Sequence, residues 1–127
     1  MPRPRPGVPH VSSTFAAVDP AQPGLVEIRT TFASRGAAEE CAARLVRERL
    51  AACVQIDGPL HSTYAWAGAI ESAQEWRCTC KTTSAGEAAC LRGIATMHEY
   101  QTPELIVAPV SASPAYAAWV RDQVDGG

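Results

Sequence analysis

Apolar and polar residues alternate along residues 25–31, Leu-Val-Glu-Ile-Arg-Thr-Thr, and the β-branched content makes this stretch a strand. The period then changes. Ser34 can cap a helix on which Ala38, Cys41, Ala42 and Leu45 recur at helical spacing, with Glu40, Arg44 and Glu48 on another face, and the pattern runs to about Leu50. A second strand at residues 52–56 is interrupted by Gly58-Pro59 and resumes over residues 61–66. Ala67-Gly68 is the turn. In the return strand, residues 70–83, Trp76, Cys78, Cys80 and Thr82 point to a dry face while Arg77, Thr79 and Lys81 point to a wet one. Ser84-Ala85-Gly86-Glu87 has the form of a capping box, opening a helix on which Leu91, Ile94 and His98 share the inner stripe. Residues 105–110 form a near-continuous apolar run, which predicts a central strand. Ser113-Pro114 then starts a short last helix carrying Tyr116, Trp119 and Val120.

The order β-α-β-β-α-β, with a short C-terminal helix added, predicts an α+β chain of the split βαβ or ferredoxin-like kind, two helices lying on one side of an antiparallel sheet. The other face of such a sheet needs cover. Tyr64, Trp66 and Trp76 give the long hairpin more aromatic surface than two helices hide, which points to burial between subunits.

Composition narrows the classes of function. One domain over residues 24–127 accounts for the periodic part, and residues 1–23 hold six prolines and almost no large apolar side chains beyond Phe15, a disordered or polyproline-like tail. Eleven basic and 13 acidic side chains leave a net charge of −2, so neither nucleic acid nor a membrane surface is expected as a partner. No apolar run has the roughly 20 residues that span a bilayer, and the prolines near the start replace the hydrophobic stretch of a signal peptide. The expected compartment is the cytoplasm.

Chemistry concentrates in Met97-His98-Glu99-Tyr100-Gln101-Thr102-Pro103-Glu104, where an imidazole, a phenol and two carboxylates surround a helix-to-strand junction, with Pro103 expected to stop the helix. The five cysteines, at 41, 53, 78, 80 and 90, have neither zinc-knuckle spacing nor a disulfide framework, so reduced thiols used mainly in packing are expected. Nucleophile-elbow, phosphate-loop and H-E-x-x-H motifs are all missing, which argues against an enzyme.

Four separated segments carry a family likeness: Arg49-Leu50-Ala51-Ala52-Cys53-Val54, Tyr64-Ala65-Trp66-Ala67-Gly68-Ala69-Ile70, Lys81-Thr82, and His98-Glu99-Tyr100-Gln101-Thr102-Pro103-Glu104. Over about residues 25–124 the chain resembles the CutA divalent-cation tolerance proteins. The resemblance implies a ferredoxin-like subunit in a tight homotrimer, similar in assembly to P-II type signalling proteins, and a part in tolerance of copper or another divalent metal ion. It places the family's cysteine on Cys53 and its histidine on His98. These are candidate ligands, with Glu75 or Glu104 completing a site across a subunit boundary; Cys53 is also readable as a small packing residue. The same likeness puts Tyr64, Trp66, Glu71, Lys81 and Tyr100 around an inter-subunit cleft. Such a cleft also suits a P-II-like sensor or scaffold that takes a small molecule or a protein segment. Ala67 and Ala69 replace the charges usual beside the turn glycine, Glu99 stands where proline is common, and Met97 where some relatives have a second histidine.

Overall fold

The computed structural model describes residue 18 and residues 24–125, so the expected proline-rich tail lies outside the described residues. The elements are β1 (Leu25–Phe32), α1 (Arg35–Arg47), β2 (Cys53–Trp66), β3 (Ala69–Thr83), α2 (Glu87–Met97), β4 (Ile106–Val110) and α3 (Pro114–Val124). They build one four-stranded antiparallel sheet in the order β2-β3-β1-β4.

Strand alternation sorts the sheet into two chemically different faces. Val26, Ile28, Thr30 and Phe32 of β1 pair with Thr82, Cys80, Cys78 and Trp76 of β3. This face lies under α1 and α2, which add Ala38, Cys41, Leu45, Cys90 and Ile94 to the same dry cluster. The opposite face carries Glu27, Arg29, Arg77, Thr79, Lys81, Cys53 and Gln55 by the same registers. α3 packs Ala117 and Val120 against Leu25 and Ala52, and Asp125 accepts a bond from the Thr83 hydroxyl at 3.2 Å.

Several local expectations hold. Ser34 caps α1 by accepting from Ala37 N–H at 3.1 Å, and Ser113 caps α3 with Pro114 at its first turn. Ala67 (φ 51°) and Gly68 (φ 82°) both take the left-handed region that a two-residue hairpin turn needs. The irregularity at Gly58-Pro59 is a cis peptide and a break in register between Asp57 and Leu60. Glycine is required here: φ is 153°, and a β-carbon would lie 2.8 Å from Cδ1 of the Trp76 ring.

Four expectations are corrected. β4 is an edge strand, not a central one, with β1 as its sole neighbour and Ile106 half exposed. The Ser84 capping box does not form, because the Thr83 hydroxyl takes Gly86 N–H at 2.9 Å in a turn, and α2 starts from Gly86 with no side-chain cap. α1 ends at Arg47 rather than Leu50: Arg49 turns left-handed, and its N–H and that of Leu50 bond back to Val46 and Leu45 in a Schellman closure. α2 ends at Met97, well before Pro103, with His98 as its C-cap.

The β2–β3 pair continues beyond the rest of the sheet. β1 stops at the Phe32–Trp76 pair, whereas β2 and β3 go on pairing from Leu60–Glu75 to Trp66–Ala69. At about 3.3 Å per residue this is a two-stranded ribbon of roughly 20 Å. Tyr64, Trp66 and Ile70 on it are exposed, Ile70 to 76%.

Candidate functional site

At the base of the ribbon, where β1 ends, the chain gathers a ring cluster. His98 stacks on Phe32 with centroids 4.3 Å apart and rings 13° from parallel, and Tyr100 tilts against His98 at 4.9 Å. Tyr100 donates its hydroxyl to Glu75 Oε2 at 2.8 Å. Burial, then that carboxylate, raises the Tyr100 pKa, so the phenol is a neutral donor at neutral pH.

His98 uses both ring nitrogens. Tyr100 N–H donates to Nδ1 at 3.2 Å, which leaves the proton on Nε2, and Nε2–H donates to the Thr31 carbonyl at 2.8 Å. Desolvation lowers the His98 pKa, against the pull of the Thr31 carbonyl and the charges of Glu99 and Glu75. The imidazole is therefore a neutral pin that fixes the start of the loop before β4 to the end of β1. For it to bind a metal, one of these bonds must break.

Cys53 is elsewhere. It pairs with Lys81 in the β2–β3 register, on the sheet face opposite the helices and two strands over from Glu27, with Lys81 between them. Thr31, which anchors His98, is four residues along β1 from Glu27, about 13 Å at strand spacing. Cys53 and His98 thus do not meet within one subunit. Among the described residues no three His, Cys, Asp or Glu side chains come together to hold a metal ion. The thiolate and imidazole donors suit a borderline or soft ion, but a single chain does not assemble them.

The expected cleft residues also divide. Tyr64 pairs with Glu71 across the ribbon, Trp66 is nearer its tip, and the Tyr64 side chain is close enough to influence the ionisation of Tyr100. Lys81 instead joins a second polar group, bonding Gln55 Oε1 at 3.0 Å and lying 4.0 Å from Glu27. Beside it a cavity of about 250 Å³ opens between the sheet and α3, lined by Leu25, Glu27, Lys81, Val110 and Tyr116 among others. The Tyr116 hydroxyl is buried without a hydrogen-bond partner. Burial, then the nearby charges of Cys53 and Glu27, raises the Tyr116 pKa. Glu104 lies exposed in the loop before β4. Sequence reasoning placed Tyr116 on the last helix but missed its part here, because the meeting of α3 with the strand ends leaves no spacing signal.

Cys41, Cys78, Cys80 and Cys90 are all buried in the dry cluster, and the chain has no disulfide among its described residues. Cys78 donates Sγ–H to the Ala38 carbonyl at 3.6 Å. Burial pushes the Cys41 thiol up to about 12 and that of Cys78 to about 11. Hydrogen bonding with Cys90, then burial, raises the Cys80 thiol, whereas hydrogen bonding with Cys80 lowers that of Cys90 against the effect of burial.

These features define a class: a small split-βαβ protein with an unaccompanied aromatic ribbon and polar groups at both ends of its sheet. Comparison with known proteins gives the family. Residues 26–123 match the model of the CutA1 divalent ion tolerance protein. The divalent-cation tolerance protein CutA of Citrobacter koseri is 34% identical over 100 residues, 78% of this chain and 87% of that protein. The structure of CutA from Synechococcus elongatus superposes with a TM-score of 0.80 at 31% identity, covering 87% of this chain and 98% of the other. CutA from Archaeoglobus fulgidus, named as a periplasmic divalent cation tolerance protein, gives 0.76 at 34% identity, covering 79% and 98%. The chain belongs to the CutA1 divalent ion tolerance family, which is not a family of enzymes. Among the described residues no helix is long and apolar enough to cross a membrane.

Proposed function

We propose that the chain works as a cytoplasmic homotrimer that binds a divalent, copper-type metal ion in the response to metal stress. The observation that carries this reading is the projecting ribbon. Two strands alone are marginal in water, and Tyr64, Trp66 and Ile70 stand exposed on them, so a second and third copy supply the missing cover. Assembly also answers the separation of the donors. A site between subunits takes Cys53 from one chain and Glu75 or Glu104 from another, and His98 joins it only by trading its Tyr100 N–H bond for the ion. Calorimetric titration of the reduced protein with cuprous, cupric and zinc ions, beside Cys53→Ser and His98→Ala and with light scattering, tests this. Saturable binding near one ion per subunit or per trimer, weakened in Cys53→Ser while the trimer persists, supports it; binding indifferent to both substitutions removes these ligands.

A second reading, a P-II-like sensor or scaffold, is favoured by the cavity under α3. There Lys81, Glu27 and the unsatisfied Tyr116 hydroxyl give a small polar molecule hydrogen-bonding groups against an apolar wall. Ligand binding that survives Cys53→Ser and is lost in Tyr116→Phe distinguishes it.

A further inference from the structure

The cavity under α3 has a charge pattern that narrows what it can take up. Glu27 and Lys81 are partners in the β1–β3 register, and both line it. Their side chains are only 22% and 18% exposed, so water screens them in part. The pair is loose. Lys81 Nζ lies 4.0 Å from Glu27 Oε2, and the other carboxylate oxygen lies 3.5 Å from Arg29 Nη2, both too long for a good hydrogen bond. Of the three protons on its ammonium, Lys81 donates one at 3.0 Å, to Gln55. A carboxylate and an ammonium thus border the cavity with bonding capacity left over.

Any occupant meets both charges together. A lone anion drawn to Lys81 is repelled by Glu27, and a lone cation drawn to Glu27 is repelled by Lys81, because the two stand 4.0 Å apart. A molecule that carries both signs close together answers both and leaves the site neutral. The remaining wall is largely apolar, with Leu25 at 2% exposure beside Val110 and Ala112. Tyr116 lines the same space, and its hydroxyl is buried with no hydrogen-bond partner among the described residues. The volume of about 250 Å³ falls below the roughly 300–1,000 Å³ of pockets for drug-sized ligands, so the occupant is small.

Resting on the second reading above, we propose that this cavity is a site for an α-amino acid with an aliphatic side chain. The ligand's carboxylate accepts from Lys81 and the Tyr116 hydroxyl, its ammonium donates to Glu27, and its side chain lies against Leu25 and Val110. An α-amino acid carries its two charges on one carbon, which suits a cation and an anion on adjacent strands, about 4.8 Å apart at the backbone.

The test is calorimetric titration of the full chain, in its native assembly, with three probes of one shape. These are L-leucine, 3-methylbutylamine, which lacks the carboxylate, and 4-methylpentanoate, which lacks the ammonium. Leucine should bind once per subunit and at least tenfold tighter than either half. Lys81→Met should weaken leucine at least tenfold and leave the amine within a fewfold, and Glu27→Gln should weaken leucine equally while sparing 4-methylpentanoate. That crossed pattern is one that a merely structural role of the pair does not produce. If Glu27→Gln does not fold, the Lys81→Met comparison of leucine with the amine decides alone. Binding of all three probes within a fewfold of one another, lost in Tyr116→Phe, would overturn the amino acid proposal and leave the second reading standing. Binding of none of them would overturn both.

Discussion

β2 and β3 make two very different structures from the same two strands. In their lower half they join a sheet whose dry face is sealed by α1 and α2, with Cys78 and Cys80 at 0% exposure. In their upper half they have only each other, and Trp66 is 54% exposed. Strand pairing satisfies the backbone in both halves, but only burial makes the structure stable, and a ribbon without a layer beneath it lacks that term. The core is thus a property of the single chain, while the ribbon has no covering layer within it.

The largest expected effect comes from attacking the ribbon. Tyr64→Ala with Trp66→Glu should shift the proposed trimer to monomer by a hundredfold or more in dissociation constant, seen by analytical ultracentrifugation, because large aromatics act as interface anchors worth about 2 kcal/mol or more each. A variant that stays fully trimeric at micromolar concentration contradicts the contrast between the halves. Next is the core: Ile94→Ala empties a fully buried site and should cost about 2–5 kcal/mol in urea unfolding of the assembled protein. Gly58→Ala tests the boundary between the halves. Its β-carbon meets the Trp76 ring and the Glu75 carbonyl, and overpacking of this kind should cost about 1–3 kcal/mol, read from the same transitions.

The smallest effect is on the pin at the ribbon's base. Because burial lowers the His98 pKa in the folded chain, the neutral imidazole stabilises the fold fully above its unfolded value of 6.5, and this contribution is lost as pH falls from there through the folded value. Protonation puts a hydrogen on Nδ1, which then repels Tyr100 N–H instead of accepting from it. The protection of the Tyr100 amide, its exchange compared with the intrinsic rate at each pH, should fall below pH 6.5, and the His98→Gln variant should lose that step. Protection that stays constant with pH in the parent would show that His98 does not hold the loop.

Much of the fold was legible because it is local. Period two and period 3.6 placed all seven elements, Ser34, Ser113 and Ala67-Gly68 marked ends, and Gly58-Pro59 marked the break within β2. The errors arose where a second partner won. Thr83 outcompeted Ser84 for the donor at the start of α2, and the apolar run of β4 resembled a strand covered on both faces although only β1 flanks it. Sheet order is not a property of any one segment, so periodicity had no means of choosing an edge. The site was legible as residue types but not as an arrangement. His98 was identified as inward and polar, yet the commitment of both its nitrogens depends on Thr31 and on the backbone of Tyr100. Each buried cysteine read as packing, and Cys41, Cys78, Cys80 and Cys90 do lie in the dry cluster.

The ribbon also links this protein's durability to its abundance. If its aromatic surface is covered by other copies of the chain, folding and association are one equilibrium, and the law of mass action makes the thermal midpoint rise with total protein concentration. A dilute sample then melts earlier than a concentrated one with no change in sequence, and the cell's own expression level becomes a determinant of how firmly each subunit is held.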